Sequence, residues 1–149
     1  MSSATRVAVD SARAELAGTK AVKHATGVAI LAAGRAIGEN AALRAALANP
    51  VADSKAKQDL VSAAFAGADK VALTLLKSLV AHRWSSGDDL LAGIEEIGIR
   101  AVASSAKAGT EAELFAFGRA VAANPDLELA LASKRGDATA RRALATAVL

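Results

Sequence analysis

Between Val80 and Leu91 the chain reads VAHRWSSGDDLL, which gathers His82, Arg83, Ser85, Ser86, Asp88 and Asp89 into one short stretch. A base, two hydroxyls and two carboxylates in such proximity are the ingredients of nucleophilic or general acid–base catalysis. They are equally the ingredients of one helix ending and the next beginning. Arg83 in the last turn of a helix offsets the negative end of its dipole, and Ser85 or Ser86 caps the following helix. Asp88 and Asp89 then fall in its first turn, where negative charge is favoured. Trp84, the only Trp, plugs the junction with its large apolar surface. Every polar residue of the segment then has a structural role, which favours the junction over catalysis.

The remaining chemistry is thin. His24 and His82 are isolated, with no His-x-x-x-His or His-Glu-x-x-His spacing for a metal. There is no Cys, which excludes disulfides, thiolate nucleophiles and Cys-based zinc sites. No GxSxG elbow and no GxxxxGK[ST] phosphate loop occurs. Glu95 and Glu96 are adjacent, so on a helix they point about 100° apart and cannot face one another as an acid/base pair. Ser104-Ser105 has no base nearby in sequence. The expectation is a non-enzyme with no catalytic residue, no cofactor and no metal.

The elements that carry these residues are all helical. Of 149 residues 53% are hydrophobic, and about 40 are Ala, the strongest helix former. Aromatics amount to 3% and Tyr is absent, against the β-branched and aromatic preference of strands. The net charge of +3 and pI near 9.5 come from dispersed basic residues, without the clustered Lys/Arg and stacking aromatics of a nucleic-acid footprint. The most lipid-like run, Ala25–Gly34, is about half the roughly 20 residues of a membrane span and reads as a core helix, leaving the chain soluble or at most peripheral.

Apolar spacings of three and four residues predict nine helices. The first runs from Ala4 to Ala17, with Val9, Ala12 and Leu16 on one face. The second runs from about Lys20 to Gly38 with Val28, Leu31 and Ile37. A short third follows a cap at Asn40 and stops at Asn49-Pro50, since the residue before Pro disfavours helix. Asp53 or Ser54 starts the fourth, with Leu60, Val61, Ala64 and Phe65 inward and Gly67 as its stop. Asp69 caps the fifth, which carries Leu73, Leu76, Leu79 and Val80. The sixth runs from Asp88 to about Ala108 with Leu91, Ile94, Ile97 and Val102. Thr110 with Glu113 reads as a capping box for the seventh. Asn124-Pro125 starts the eighth, and Arg135-Gly136-Asp137 turns into the ninth. The expected architecture is an all-α, six-helix N-terminal bundle over 1–108, followed by a short helical extension over 109–149.

The extension repeats part of the bundle. Under a shift of 84 residues, Ile30–Phe65 aligns with Leu114–Leu149 without a gap, and 13 of 36 positions are identical. Six identities are Ala and carry little weight in this composition. The others, including Gly34/Gly118, Asn40/Asn124, Leu47/Leu131 and Asp53/Asp137, fall on helix caps and core positions. An internal duplication is favoured over two merely similar Ala-rich segments. The second copy stops at Leu149, where the first continues for roughly 40 more residues.

The order of these helices resembles the N-terminal bundle of the delta-subunit family of F-type ATP synthase, which includes the mitochondrial oligomycin-sensitivity-conferring protein. Asn40–Lys57, NAALRAALANPVADSKAK, is similar to the family's Leu-rich short helix, Asn-Pro turn and Lys-bearing next helix. Leu75–Glu96, LLKSLVAHRWSSGDDLLAGIEE, resembles its leucine-rich fifth helix and the start of its long sixth. Trp84 after Arg83, and ELFAFGR at Glu113–Arg119, look like actinobacterial members, whose longer chains carry an inserted or duplicated segment.

The resemblance implies a peripheral-stalk subunit of a proton-translocating ATP synthase, without chemistry of its own. Such a subunit links the alpha subunits of the catalytic head to the b stalk and resists rotor torque, on the cytoplasmic face of the cell membrane. The N-terminal helices of the alpha subunits are the implied partner, in a groove between the first and fifth helices. Carried onto this chain, that groove holds Val9, Ala12, Leu76, Lys77 and Val80, with Val9 where the family usually has an aromatic. The b subunit is implied to bind a strand-rich C-terminal part that this sequence lacks. The rival expectations are a helical adaptor or scaffold module of another assembly and a small DNA-associated regulator.

Overall fold

The computed structural model describes residues 3–133 and 137–149. The described residues form helices α1 (Ser3–Gly18), α2 (His24–Glu39), α3 (Ala41–Ala48), α4 (Ser54–Ala64), α5 (Lys70–Ala81), α6 (Gly87–Ala103), α7 (Thr110–Ala122), α8 (Pro125–Ala132) and α9 (Ala138–Val148), and no strand. By packing, the chain divides into two compact units, Met1–Ala106 and Lys107–Leu149.

In the first unit α2 and α6 make the most extensive helix pair. Glycines set their spacing. A Cβ on Gly27 would lie 2.6 Å from Val102 Cγ2, and one on Gly98 would lie 2.7 Å from Leu31 Cδ2. Each helix therefore offers a notch to an aliphatic side chain of the other, so the axes approach closely. Ile30, Ile37, Ile94 and Ile97 fill the space between and are at most 1% exposed. Leu76, Leu79 and Val80 of α5 and Ala8, Val9 and Ala12 of α1 complete the same core.

Polar ties fix how the helices enter this core. The Asp69 carboxylate caps α5 by accepting from the Ala72 N–H at 2.9 Å, and it also accepts from the Thr26 hydroxyl in the first turn of α2 at 3.1 Å. These donors, the Ala72 amide first, hold the Asp69 carboxyl below the usual carboxylate range. Arg13 of α1 donates from Nε to Glu96 Oε1 of α6 at 2.7 Å, and Arg100 donates to the same oxygen at 2.8 Å. The Arg13 hydrogen bond, ahead of that from Arg100, pulls the Glu96 pKa down.

Several boundaries differ from those the periodicity predicts. The second helix begins at His24 and not near Lys20, because Ala21 has φ 61°, a left-handed conformation that no helix continues through. The fourth ends at Ala64 with Phe65 as its C-cap, before Gly67 is reached. The sixth ends at Ala103, five residues short of Ala108. Thr110 and Glu113 form no capping box: Gly109, at φ 99°, is the N-cap, and Thr110 is already the first helical residue. Leu60 and Val28 face outward, at 37% and 46% exposure. The Arg135-Gly136 part of the expected turn lies outside the described residues.

In the second unit α7 packs on α8 and α8 on α9. None of the described residues in these three helices is buried. Arg119 lies over the Phe115 ring, 5.8 Å from its centroid, and Arg141 donates to the Ser133 carbonyl at 2.6 Å.

Candidate protein-docking site

The segment from Val80 to Leu91 folds as a helix junction. Helix α5 ends at Ala81 with His82 as its C-cap, so Arg83 lies beyond the last turn and not within it as the sequence suggests. The Ser86 hydroxyl caps α6 by accepting from the Asp89 N–H at 3.0 Å, leaving Asp88 and Asp89 in the first turn. Trp84 is 2% exposed, and its Nε1 donates to the Leu79 carbonyl at 2.8 Å. The indole stands on Gly93, where any Cβ would collide with its ring. The Thr5 hydroxyl donates to Ser85 Oγ at 3.2 Å, joining α1 to the same corner.

The titratable groups are drawn in different directions. His82 Nε2 faces Glu15 of α1 at 3.8 Å, whereas Asp88, with a side chain 91% exposed, stands 4.0 Å from Arg44 of α3. Among the described residues no three His, Cys, Asp or Glu cluster as metal ligands would.

Of the five residues expected to line a groove between α1 and α5, four are interior. Val9 and Ala12 are 3% and 2% exposed, and Leu76 and Val80 are both at 0%. All four belong to the one core cluster to which the neighbouring helices α1 and α5 both contribute, and Lys77 alone of the five reaches the surface. Lys77 lines an open cleft of about 470 Å³ with Glu15, Gln58, Thr74, Ser78 and His82. That cleft, between α1, α4 and α5, is largely polar.

A second cleft, of about 530 Å³, lies between α2 and α6. Leu31, Gly34, Leu91 and Ile99 give it apolar walls, with Arg35 and Glu95 supplying one charge of each sign. Ile99 is 54% exposed, and Val28, also on α2, is 46% exposed. Sequence reasoning passed over this cleft because it followed one apolar stripe per helix. Ile99 lies off the Ile94–Ile97 stripe of α6, and that surplus apolar residue, with the small residues Gly27 and Gly34 on α2, was the available signal.

No protein-family model matches this sequence. Curated relatives do. The chain is 42% identical over 152 aligned residues to a protein of Leifsonia xyli subsp. xyli named ATP synthase subunit delta, covering 100% of this chain and 58% of the relative. Relatives of the same name occur in Nocardia farcinica, 34% identical over 94% of this chain and 54% of the relative, and in Salinispora tropica, 39% identical over 72% of this chain and 41% of the relative. The chain thus spans between 41% and 58% of the length of these three curated relatives.

Proposed function

Because the chain is related over its whole length to the ATP synthase delta subunits of actinobacteria, we propose that it serves as a peripheral-stalk subunit of an F-type ATP synthase. The proposed work is mechanical: to hold the catalytic head against rotor torque by gripping amphipathic N-terminal helices of the alpha subunits. The b stalk is a second proposed partner, reached through sequence outside these residues. The proposed location is the cytoplasmic face of the cell membrane, held there through the complex. No described helix is long and apolar enough to cross a membrane by itself.

The observation that carries this reading is the similarity, along the whole of this chain, to a little over half of a protein of that name, joined to an all-helical unit with clefts between its helices. Helix-in-groove binding needs a rigid floor and exposed anchors on its rim. On the α1–α5 side Val9, Ala12, Leu76 and Val80 would form that floor, with Lys77 on the rim. A second seat is favoured by one observation: the α2–α6 cleft has apolar walls where the α1–α5 side is largely polar, and apolar contact is what an amphipathic helix has to offer.

A peptide of the alpha-subunit N-terminus from the same organism tests the function, and two variants locate the seat. Lys77→Glu weakens binding at the α1–α5 side and leaves the other seat alone. Ile99→Glu does the reverse. If neither variant changes the affinity, neither cleft is the seat. If the folded wild-type chain binds no peptide at all, the stator reading fails and the helical-adaptor reading takes its place.

A further inference from the structure

His82 is anchored through its backbone, while its side chain lacks a partner. As the C-cap of α5 it donates its N–H to the Leu79 carbonyl at 3.3 Å, which fixes the residue at the helix end. Its imidazole turns to α1. Nε2 is shielded from solvent, has no hydrogen-bond partner among the described residues, and lies 3.8 Å from Glu15 Oε1. That separation is too long for an N–H···O hydrogen bond, whose range ends at about 3.2 Å. A polar atom kept from water without a partner destabilises the fold, and the group this one faces is a carboxylate.

The charge on the imidazole decides what the approach is worth. A neutral ring leaves a long, weak dipolar contact. A protonated ring carries an N–H on both nitrogens, so Nε2–H faces the Glu15 oxygen as a charged donor, for which about 2.7–2.9 Å is the favoured distance. Closing the gap takes a movement of about 1 Å. The two side chains are 26% and 41% exposed, so neither is locked in the core.

No neighbouring charge replaces this pair. Lys77 of α5 lines the same cleft as a second cation and competes for the Glu15 carboxylate, and α4 contributes the uncharged Gln58. Asp88 in the first turn of α6 is turned toward Arg44 of α3, 4.0 Å away. Arg13 of α1 is engaged with Asp10 and Glu96.

We propose that His82 and Glu15 form a proton-dependent latch that ties the last turn of α1 to the end of α5. Histidine is the side chain that ordinarily changes charge between pH 5 and 8. The pair needs a charged imidazole and an ionised carboxylate. Its contribution is therefore present on the acid side of that range and lost as pH rises through it. It is lost again below about pH 4, where carboxylates take up protons. Because Glu15, Lys77 and His82 line one cleft, closing the latch draws the α1 and α5 rims of that cleft together. The latch belongs to the first unit's own fold and does not depend on what that unit binds.

A double-mutant cycle on the full chain tests it, with Glu15→Gln, His82→Gln and the two combined. Each is followed by chemical denaturation at about pH 5.5 and about pH 8, either side of the histidine range. At the lower pH the folding constant should fall about two- to fivefold more on Glu15→Gln when His82 is present than when it is replaced, the size of a partly exposed ion pair. At the higher pH the two losses should agree. Additivity at both pH values overturns the proposal. Coupling of equal size at both overturns it as well, since the contact would then be indifferent to the proton. Should His82→Gln fail to fold, Glu15→Gln alone decides, because His24 is the only other histidine. Its loss of stability must be greater at the lower pH, and an equal loss at both overturns the latch.

Discussion

Trp84 joins two functions that a smaller residue could not combine: its ring fills the α5–α6 corner against Gly93, and its N–H is a second donor to the Leu79 carbonyl, which also accepts from the His82 N–H at the end of α5. Trp84→Ala is expected to cost about 3–5 kcal/mol in chemical denaturation, the range for removing a fully packed aromatic. Gly93→Ala is expected to disturb the same corner, because its added methyl meets the ring and not a flexible chain end. Lys57 behaves oppositely. It is 5% exposed, and burial lowers its pKa, so its ammonium is carried at a cost. Lys57→Met keeps the stem's packing and removes that cost, so its denaturation midpoint should equal or exceed that of the wild type. Asp69 sets a pH dependence. Its folded-state pKa is depressed, so its contribution is complete above the ordinary carboxylate pKa of about 4 and is lost as pH falls through the lower folded value. Acid titration of stability should therefore show a loss below about pH 4 that is reduced in Asp69→Asn. An unchanged acid limb in that variant would remove Asp69 from the explanation.

At the scale of elements, caps and glycines decide where helices lie. Asn40, Asp53 and Asp69 were legible in the sequence because an Asn or Asp ahead of an apolar run has one economical role, and each accepts from the amide expected of a cap. The start of α2 was not legible, since nothing in Lys20–Lys23 announces that Ala21 takes a left-handed conformation. The end of α6 was missed because Ser104 to Ala108 has acceptable helix propensity, and what stops the helix is the turn leading to Gly109. The family resemblance, not periodicity, pointed to α1 and α5 together, and the two helices do touch, yet Val9, Ala12, Leu76 and Val80 carry no mark in the sequence telling a groove floor from a core. Asn40→Ala is expected to cost about 1 kcal/mol of global stability. Asn124→Ala should loosen α8 locally and leave the denaturation of the Trp84-containing unit unchanged. Equal effects of the two on Trp84 fluorescence would mean that the units unfold as one.

At the scale of the molecule, two units of unequal solidity are joined in one chain. The first has a continuous core from Ala8 to Ala101, whereas the second has helices and caps but no buried residue among those described. Amides of α7–α9 should therefore exchange with solvent well ahead of those in α2 and α6. The central claim is that the chain grips a helix of the ATP synthase head, and calorimetric titration with the alpha-subunit N-terminal peptide tests it most directly. Saturable binding with a negative heat-capacity change, the mark of apolar burial, is the predicted result. No heat and no change in peptide helicity at high micromolar concentration, with a chain shown to be folded, would contradict it.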